Sequence, residues 1–277
     1  MKNRQTQAGL SIAISETISS FEMGILAIKK SMPAEFKIKV ANNLGEREQV
    51  FNLAYRMYLE KGYIHQNSIE CFVQTYDKNP ETVILIVQDQ NKKIAGSVTL
   101  VFNESSKLPA EKIYDKEISS LKTKGEKLVE ISRLVISLDY RNSKEVLLLL
   151  MNYLAIYSYH VKKYSSLIIE VNPRHKNYYK TLLGFIEIGT EKVCPWMQNA
   201  PAVLLYLPLE KYQMEVNRCT VEFELNKKER TLYSHFLKPE QEKLIAHYLA
   251  NQVKPITSEE KIYFGFTESG LNRAVCT

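Results

Sequence analysis

Cysteine is scarce in these 277 residues, at four in all. Cys71, Cys194, Cys219 and Cys276 stand far apart, without a CxxC pair or a cysteine–histidine spacing. That excludes a zinc module, so no metal is expected, and free thiols in a reducing cytoplasm are the simplest account. Glycine and proline are few, 10 and 9, which excludes collagen-like and low-complexity disordered chains. No stretch reaches the roughly 18 uninterrupted apolar residues of a membrane span. The segment from Leu10 to Ile28 is broken by Glu16 and Glu22 and lacks the compact apolar core of a secretory signal. It reads as an amphipathic helix packed on the main domain. Lysines are scattered rather than striped, so no nucleic-acid partner is expected. What is present is an ordinary soluble composition, 45% hydrophobic and 25% charged, with a net charge of +6 that favours an acidic partner.

Periodicity divides the chain. Phe36 to Val40 predicts a short strand, and Leu44 to Glu60 a helix with Asn43 as N-cap. Ser68 to Tyr76 reads as a second short helix. Thr82 to Gln88 and Ile94 to Phe102 read as a hairpin over the polar turn Asp89 to Lys93. Glu104 to Lys124 is charged and irregular, which predicts a long surface excursion. Leu128 to Ile136 (LVEISRLVI) is the central-strand candidate. Strict alternation there places Glu130 with Ser132 on one face and Ile131 with Arg133 on the other. A leucine- and tyrosine-rich helix from Ser143 to Lys163 follows, then a strand at Ser165 to Val171, and a helix at Arg174 to Leu183 stopped by Gly184. Phe185 to Ile188 and Ala202 to Leu207 complete the strands. This order describes a mixed sheet with antiparallel early strands and one parallel pair across the long helix. From Leu209 onward the pattern is helical, over Thr231 to Leu237, Glu240 to Val253 and Ser258 to Phe266, with no strand signal. The expected divisions are a helical segment 1–35, a main domain 36–209 and a helical extension 210–277.

The blocks EISRL (Glu130 to Leu134), DYR (Asp139 to Arg141), VNPRHKNYYKTLLGF (Val171 to Phe185) and APAVLLYL (Ala200 to Leu207) resemble those of GCN5-related N-acetyltransferases (the GNAT fold). With YRMYLEKGYI (Tyr55 to Ile64), they are similar to the FeeM-type N-acyl amino acid synthases, relatives of the acyl-homoserine-lactone synthases. The resemblance implies an α/β (α+β) protein: a GNAT-like mixed, mostly antiparallel central sheet flanked by helices, with helical additions at both ends. It also implies an enzyme that transfers a long-chain fatty acyl group from acyl carrier protein to the α-amine of an amino acid such as tyrosine. One departure stands out. GNAT enzymes cradle coenzyme A pyrophosphate with a glycine-rich loop at a helix N-terminus. Here that loop is Tyr140-Arg141-Asn142-Ser143-Lys144, without glycine, so a carrier-protein thioester is the expected donor in preference to coenzyme A, and no permanently bound cofactor is expected.

Amide formation from a thioester requires an amine that loses a proton, donors for the oxyanion and a departing thiolate. Glu130 is the candidate base; the bland alternative is a strand carboxylate paired with a lysine. Arg133 either forks onto a substrate carboxylate or joins an internal ion pair, and a bulge would bring it to the face of Glu130. His175 is a candidate proton shuttle or a structural residue of a helix N-terminus, beside Asn172 and Arg174. Tyr179 or Tyr178 occupies the place of the tyrosine that protonates the thiolate in many GNAT enzymes, with packing as the alternative. Leu147 and Leu150, with Tyr153 and Tyr157, form either core or the wall of an acyl tunnel. Tyr55 and Arg56 are placed to close over the donor, and Arg141 and Lys144 to hold the carrier's phosphopantetheine phosphate. A homoserine-lactone synthase, a coenzyme A acetyltransferase and a non-catalytic acyl- or carrier-binding module are the alternatives. A peripheral membrane contact for product release stays open.

Overall fold

The computed structural model describes residues 35–222, 231–267 and 270–271. The expected helix before residue 35 and Cys276 lie outside the described residues. A seven-stranded sheet organises the rest: β1 (Lys37–Val40), β2 (Val83–Gln88), β3 (Ile94–Phe102), β4 (Leu128–Ile136), β5 (Ser166–Val171), β6 (Ile186–Cys194) and β7 (Ala200–Pro208). Their order across the sheet is β1-β2-β3-β4-β5-β7-β6. The pairs are antiparallel except β4 with β5, so the sheet is mixed and mostly antiparallel, as the strand pattern implies. The β2–β3 turn is set by Asp89, whose Oδ1 accepts from the backbone N–H of Asn91 at 2.9 Å and of Lys93 at 2.8 Å.

Helices cover both faces. On one face lie α1 (Leu44–Glu60) and α2 (Glu111–Thr123). On the other lie α3 (Lys144–Ile156), continued by a π-turn at Tyr157–Val161, and α4 (Pro173–Leu183). The α1 N-terminus forms where expected, with the Asn43 side chain accepting from Glu46 N at 3.1 Å. Gly184 ends α4 in the left-handed conformation, φ +69°.

Several expectations fail for local reasons. The charged stretch 104–124 contains the α2 helix, whose buried contacts are Tyr114 and Ile118, one turn apart, too few to stand out against its charges. Ser68 to Gln74 is not helical; only Thr75 and Tyr76 of the expected helix enter a short 3₁₀ turn, Thr75–Lys78. The strand expected over Phe185 to Ile188 starts at Ile186 and runs on to Cys194 as a nine-residue edge strand. Beyond it, α5 (Leu209–Glu222), a short 3₁₀ turn at Tyr233–His235, α6 (Pro239–Ala250) and α7 (Ser258–Tyr263) are helical, but β8 (Phe266–Thr267) and β9 (Gly270–Leu271) pair as a small hairpin.

The C-terminal elements share the main core. Leu209, Tyr212 and Val216 of α5 pack with Ile245 and Leu249 of α6 against the α3 face. Buried Glu242 joins them, accepting from Tyr212 Oη at 3.0 Å and Gln213 Nε2 at 2.8 Å, with His160 Nε2 at 3.0 Å. Further on, Glu260 of α7 pairs with Arg47 and Phe264 meets Phe51 edge-on, 4.8 Å between ring centroids, so α7 is fastened to α1.

Gly189 shows how tightly α2 is seated. A β-carbon there would stand 2.6 Å from the Tyr114 ring and 2.9 Å from Leu204 Cβ. The ring is fixed because its hydroxyl donates to Ala202 O at 2.7 Å and Thr190 O at 3.0 Å. Gly189→Ala is therefore expected to destabilise the fold by about 1–3 kcal/mol through overpacking. A fall in the urea midpoint at unchanged slope would show it; an unshifted midpoint would contradict the tight seat.

Candidate active site

Strands β4 and β5 pair over four residues and then part. Leu128, Glu130 and their neighbours match Ser166 through Ile169, and beyond Ile131 and Ile169 no ladder joins them, although β4 runs on to Ile136 and β5 to Val171. A cleft of about 650 Å³ opens at this divergence. Its floor is Glu130 to Ile136 on β4 and Ile169 to Asn172 around the end of β5; α1, α2, α4 and the β6–β7 connection wall it.

Glu130 is 3% exposed and faces α2, where its Oε2 accepts the backbone N–H of Ala110 at 2.9 Å. Burial pushes its carboxyl well above the ordinary glutamate range, and the nearby Glu170 and Glu111 carboxylates add to this. No lysine bridges it among the contacts of the described residues, so it is not the surface-paired carboxylate of the bland alternative. Ser132 occupies the same face, hydrogen-bonded to Tyr76 Oη at 2.9 Å.

Arg133 departs from strict alternation. Between Ser97 and Thr99 of β3, strand β4 advances from Val135 to Ser132, one residue too many, and Arg133 takes φ +45°. This β-bulge turns Arg133 to the face of Glu130 and Ser132. It does not touch Glu130. Its guanidinium forks onto Asp77, 2.7 Å from Nη1 to Oδ2 with Nη2 on Oδ1, and also donates to Thr99 Oγ1 at 2.9 Å and Phe72 O at 3.0 Å. The fork that a substrate carboxylate would need is thus occupied, and only Nε, among its nitrogens, is without a partner.

The other expected residues divide. Arg141, Leu147, Asn172, Arg174, His175, Tyr178 and Tyr179 all line the cleft. Asn172 caps α4, accepting from Arg174 N at 3.2 Å. Arg174 donates through Nη2 to Tyr63 Oη at 3.1 Å and through Nε to His175 Nε2 at 3.0 Å. Burial, with Arg174 and Lys61 close by, lowers the His175 pKa, so its ring is held neutral. Tyr179 packs edge-on against Phe185, 5.8 Å between centroids, and burial raises its phenol.

Four do not reach the cleft lining. Tyr55 lies on the buried face of α1 with Val50 and Ala54, and its hydroxyl accepts from Asn67 N at 3.2 Å. Arg56, next to it, and Lys144, at the start of α3, are exposed outside the cleft. Leu150, with Tyr153 and Tyr157, is core: α3 presses its Leu150 side against β3 at Gly96, and only Leu147, a turn earlier, reaches the opening.

Sequence reasoning missed Glu170, Tyr76, Lys112 and Trp196, which line the same cleft. A lone acid in the apolar run SLIIEV was a readable signal for Glu170. Lys112 and Trp196 were not readable, because they come together only through the fold, with Lys112 Nζ 4.7 Å from the Trp196 ring centre.

Comparison with known proteins agrees with this architecture. The family model for N-acyl amino acid synthase FeeM matches residues 49–208. Among solved structures, FeeM, an N-acyl amino acid synthase from uncultured soil microbes, superposes with a TM-score of 0.57 at 22% identity, over 65% of this chain and 93% of that one. BjaI, a CoA-dependent acyl-homoserine lactone synthase, solved with MTA, gives 0.51 at 13% identity, over 78% and 99%. These two likenesses are of fold. Nothing among curated proteins matches the chain. No helix of the described residues is long and apolar enough to cross a membrane.

Proposed function

The chain belongs to the N-acyl amino acid synthase FeeM family and is an N-acyltransferase, and we propose that it moves a long-chain acyl group from acyl carrier protein to the α-amine of an amino acid, tyrosine among them. One observation carries this reading: a buried carboxyl, Glu130, stands at the point where β4 and β5 part, inside a cleft lined by residues from both faces of the sheet. A thioester threaded through that gap from the α3 side brings its carbonyl beside Glu130, and the amine approaches from the α1 and α2 side.

The division of labour follows from the lining. Arg141, in the glycine-free turn before α3, meets the phosphopantetheine phosphate, and the net charge of +6 attracts an acidic carrier. Leu147 with Ile131, Val135 and Val171 gives the acyl chain an apolar path, each buried methylene contributing about 0.8 kcal/mol. Glu130, whose raised pKa makes its anion a stronger base than an ordinary carboxylate, takes a proton from the α-ammonium. The amine attacks the thioester carbon, and the tetrahedral adduct collapses with cleavage of the C–S bond. Tyr179, at the α4 wall, gives its hydroxyl proton to the thiolate and takes the second proton of the adduct's nitrogen in return, so sulfur leaves as a thiol and the phenol is restored. Arg174 at the cleft mouth meets the amino acid's carboxylate, and Tyr58, Tyr76 and Trp196 give an aromatic surround suited to a tyrosine side chain. His175, held neutral against Arg174, orients that guanidinium.

The test is incubation with acyl carrier protein charged with radiolabelled myristate, alongside myristoyl coenzyme A, and each of the twenty amino acids or S-adenosylmethionine. The expected result is N-myristoyl amino acid, with tyrosine among the best acceptors and the carrier thioester used faster. Label retained or hydrolysed without amide would overturn the reading in favour of a binding module. Lactone formed from S-adenosylmethionine would overturn it in favour of an autoinducer synthase.

A further inference from the structure

We propose that Glu170 is a second acidic group of the acceptor pocket and holds the attacking nitrogen against Glu130 across the parted ends of β4 and β5. This role rests on the acyl-transfer reading of the cleft and extends it to a residue outside the EISRL and VNPRHKNYYKTLLGF blocks.

The strand register places the two acids together. Glu130 stands opposite Ile168, so Glu170 is one diagonal step along β5 on the same face, at the first position past the last ladder pair, Ile131 with Ile169. Ile168, on that face, packs with Leu128 and Tyr114 beneath α2. Both carboxyls line the one cleft. The titratable and charged groups close enough to interact electrostatically with Glu170 are Glu130 from β4, Lys112 and Tyr114 from α2, Tyr58 from α1 and Cys194 from β6. Cys194 gives it a hydrogen bond from sulfur, a weak donor, and burial raises the Glu170 carboxyl. The Cys194 thiol is itself pushed up to about 12, so it stays protonated and donating rather than acting as a nucleophile. Ala110 N already donates to Glu130, whereas Glu170 has the thiol and the distant charge of Lys112. An alkylammonium, with three N–H donors and a positive charge, answers both acids at once.

The chemistry gives the second acid a task. The bound ammonium transfers one proton to the Glu130 carboxylate. Its nitrogen lone pair forms the C–N bond while the carbonyl π pair moves to oxygen, which leaves an adduct with NH₂⁺ and O⁻. Glu170 accepts a hydrogen bond from that NH₂⁺ until the C–S bond breaks and the second proton leaves with sulfur as a thiol. Ammonium, thioester and Glu130 carboxylate thus become amide, thiol and Glu130 carboxylic acid.

Trp196, the single tryptophan, lines the cleft and reports binding by its fluorescence without turnover. n-Butylammonium chloride, with n-pentanol as its neutral counterpart, is titrated at fixed ionic strength into the wild type, Glu170→Gln and Glu170→Asp. The expected result is saturable binding of the cation to the wild type, at least about tenfold weaker in Glu170→Gln and partly restored in Glu170→Asp, with pentanol indifferent to either change. In turnover, Glu170→Gln raises the amino acid KM and leaves the donor KM alone. It also moves the acidic limb of the kcat/KM profile to lower pH, because a negative neighbour of Glu130 has gone. A thermal midpoint like that of the wild type shows that glutamine keeps the fold. Equal butylammonium affinity in wild type and Glu170→Gln, or pentanol bound as well as the cation, overturns the role. Cation binding that depends on Glu170 in an enzyme that makes no amide sinks the amino acid reading and leaves the ammonium site standing.

Discussion

Glu130→Gln is expected to lower kcat for acyl transfer by about 10²–10⁴-fold, the contribution of a positioned general base, with the donor KM little changed. Glutamine is nearly isosteric, and its amide oxygen still accepts the Ala110 N–H that Glu130 Oε2 accepts at 2.9 Å. The amine then arrives at a group that takes no proton. Single-turnover measurement of amide from preloaded acyl carrier protein separates this from a binding defect. A variant with more than a tenth of wild-type turnover would remove Glu130 from proton transfer.

The pH behaviour of the same variant runs in two directions. The carboxyl is raised in the folded state by burial first and by the neighbouring acids second. Activity needs the anion, so in the wild type kcat/KM climbs as pH rises through that raised pKa, above the ordinary glutamate range. Stability has the opposite sign. The folded protein binds a proton that the unfolded chain has already lost, so this contribution is full below the unfolded pKa, near 4.3, and is lost as pH rises through the folded one. Glutamine does not titrate, and Glu130→Gln is therefore expected to flatten the loss of stability toward alkaline pH while abolishing the alkaline gain in activity.

The sheet was readable from sequence because its strands are apolar and short and the turns between them are marked; the Asp89 turn and Gly184 both form where expected. Glu130 was readable for the same reason, since a period of two fixes its face relative to Ile131. Arg133 was not. The bulge depends on a non-glycine residue at φ +45°, and no composition signal marks that residue; only the partner strand's register reveals it. Leu150, Tyr153 and Tyr157 show a different limit. Helical spacing reports that a face is covered without reporting by what, and here the cover is β3 and its neighbours, not an acyl chain. Lys112 entered the site on a helix whose charges disguised it as a loop.

Asp77→Ala is expected to destabilise the protein by about 3–5 kcal/mol, because it leaves the Arg133 charge buried without its carboxylate. Arg133 is 4% exposed and Asp77 5%, and the guanidinium also lies 4.9 Å from the Phe51 ring centre and 5.2 Å from that of Tyr76. Water therefore cannot replace the lost partner without entering the α1 interface. Arg133→Met should cost less, since an isolated Asp77 protonates rather than stay charged, and the double variant Asp77→Leu/Arg133→Met should recover much of the loss by substituting apolar contact for the pair. Urea unfolding of the wild type, Asp77→Leu, Arg133→Met and the double variant closes the cycle and gives the coupling directly. The kinetic outcome follows from the bulge, a left-handed conformation that costs an L-residue roughly 1–2 kcal/mol and persists only while the surroundings enforce it. When the pair goes, β4 has no reason to keep its extra residue opposite Ser97 and Thr99, and Glu130, three positions away, loses its aim. The double variant is thus expected to regain stability without regaining kcat. Were Arg133 instead a clasp for the substrate carboxylate, Asp77→Ala would free its fork and lower the amino acid KM; that result, with a midpoint loss below about 1 kcal/mol, would reassign the pair from strand geometry to substrate binding.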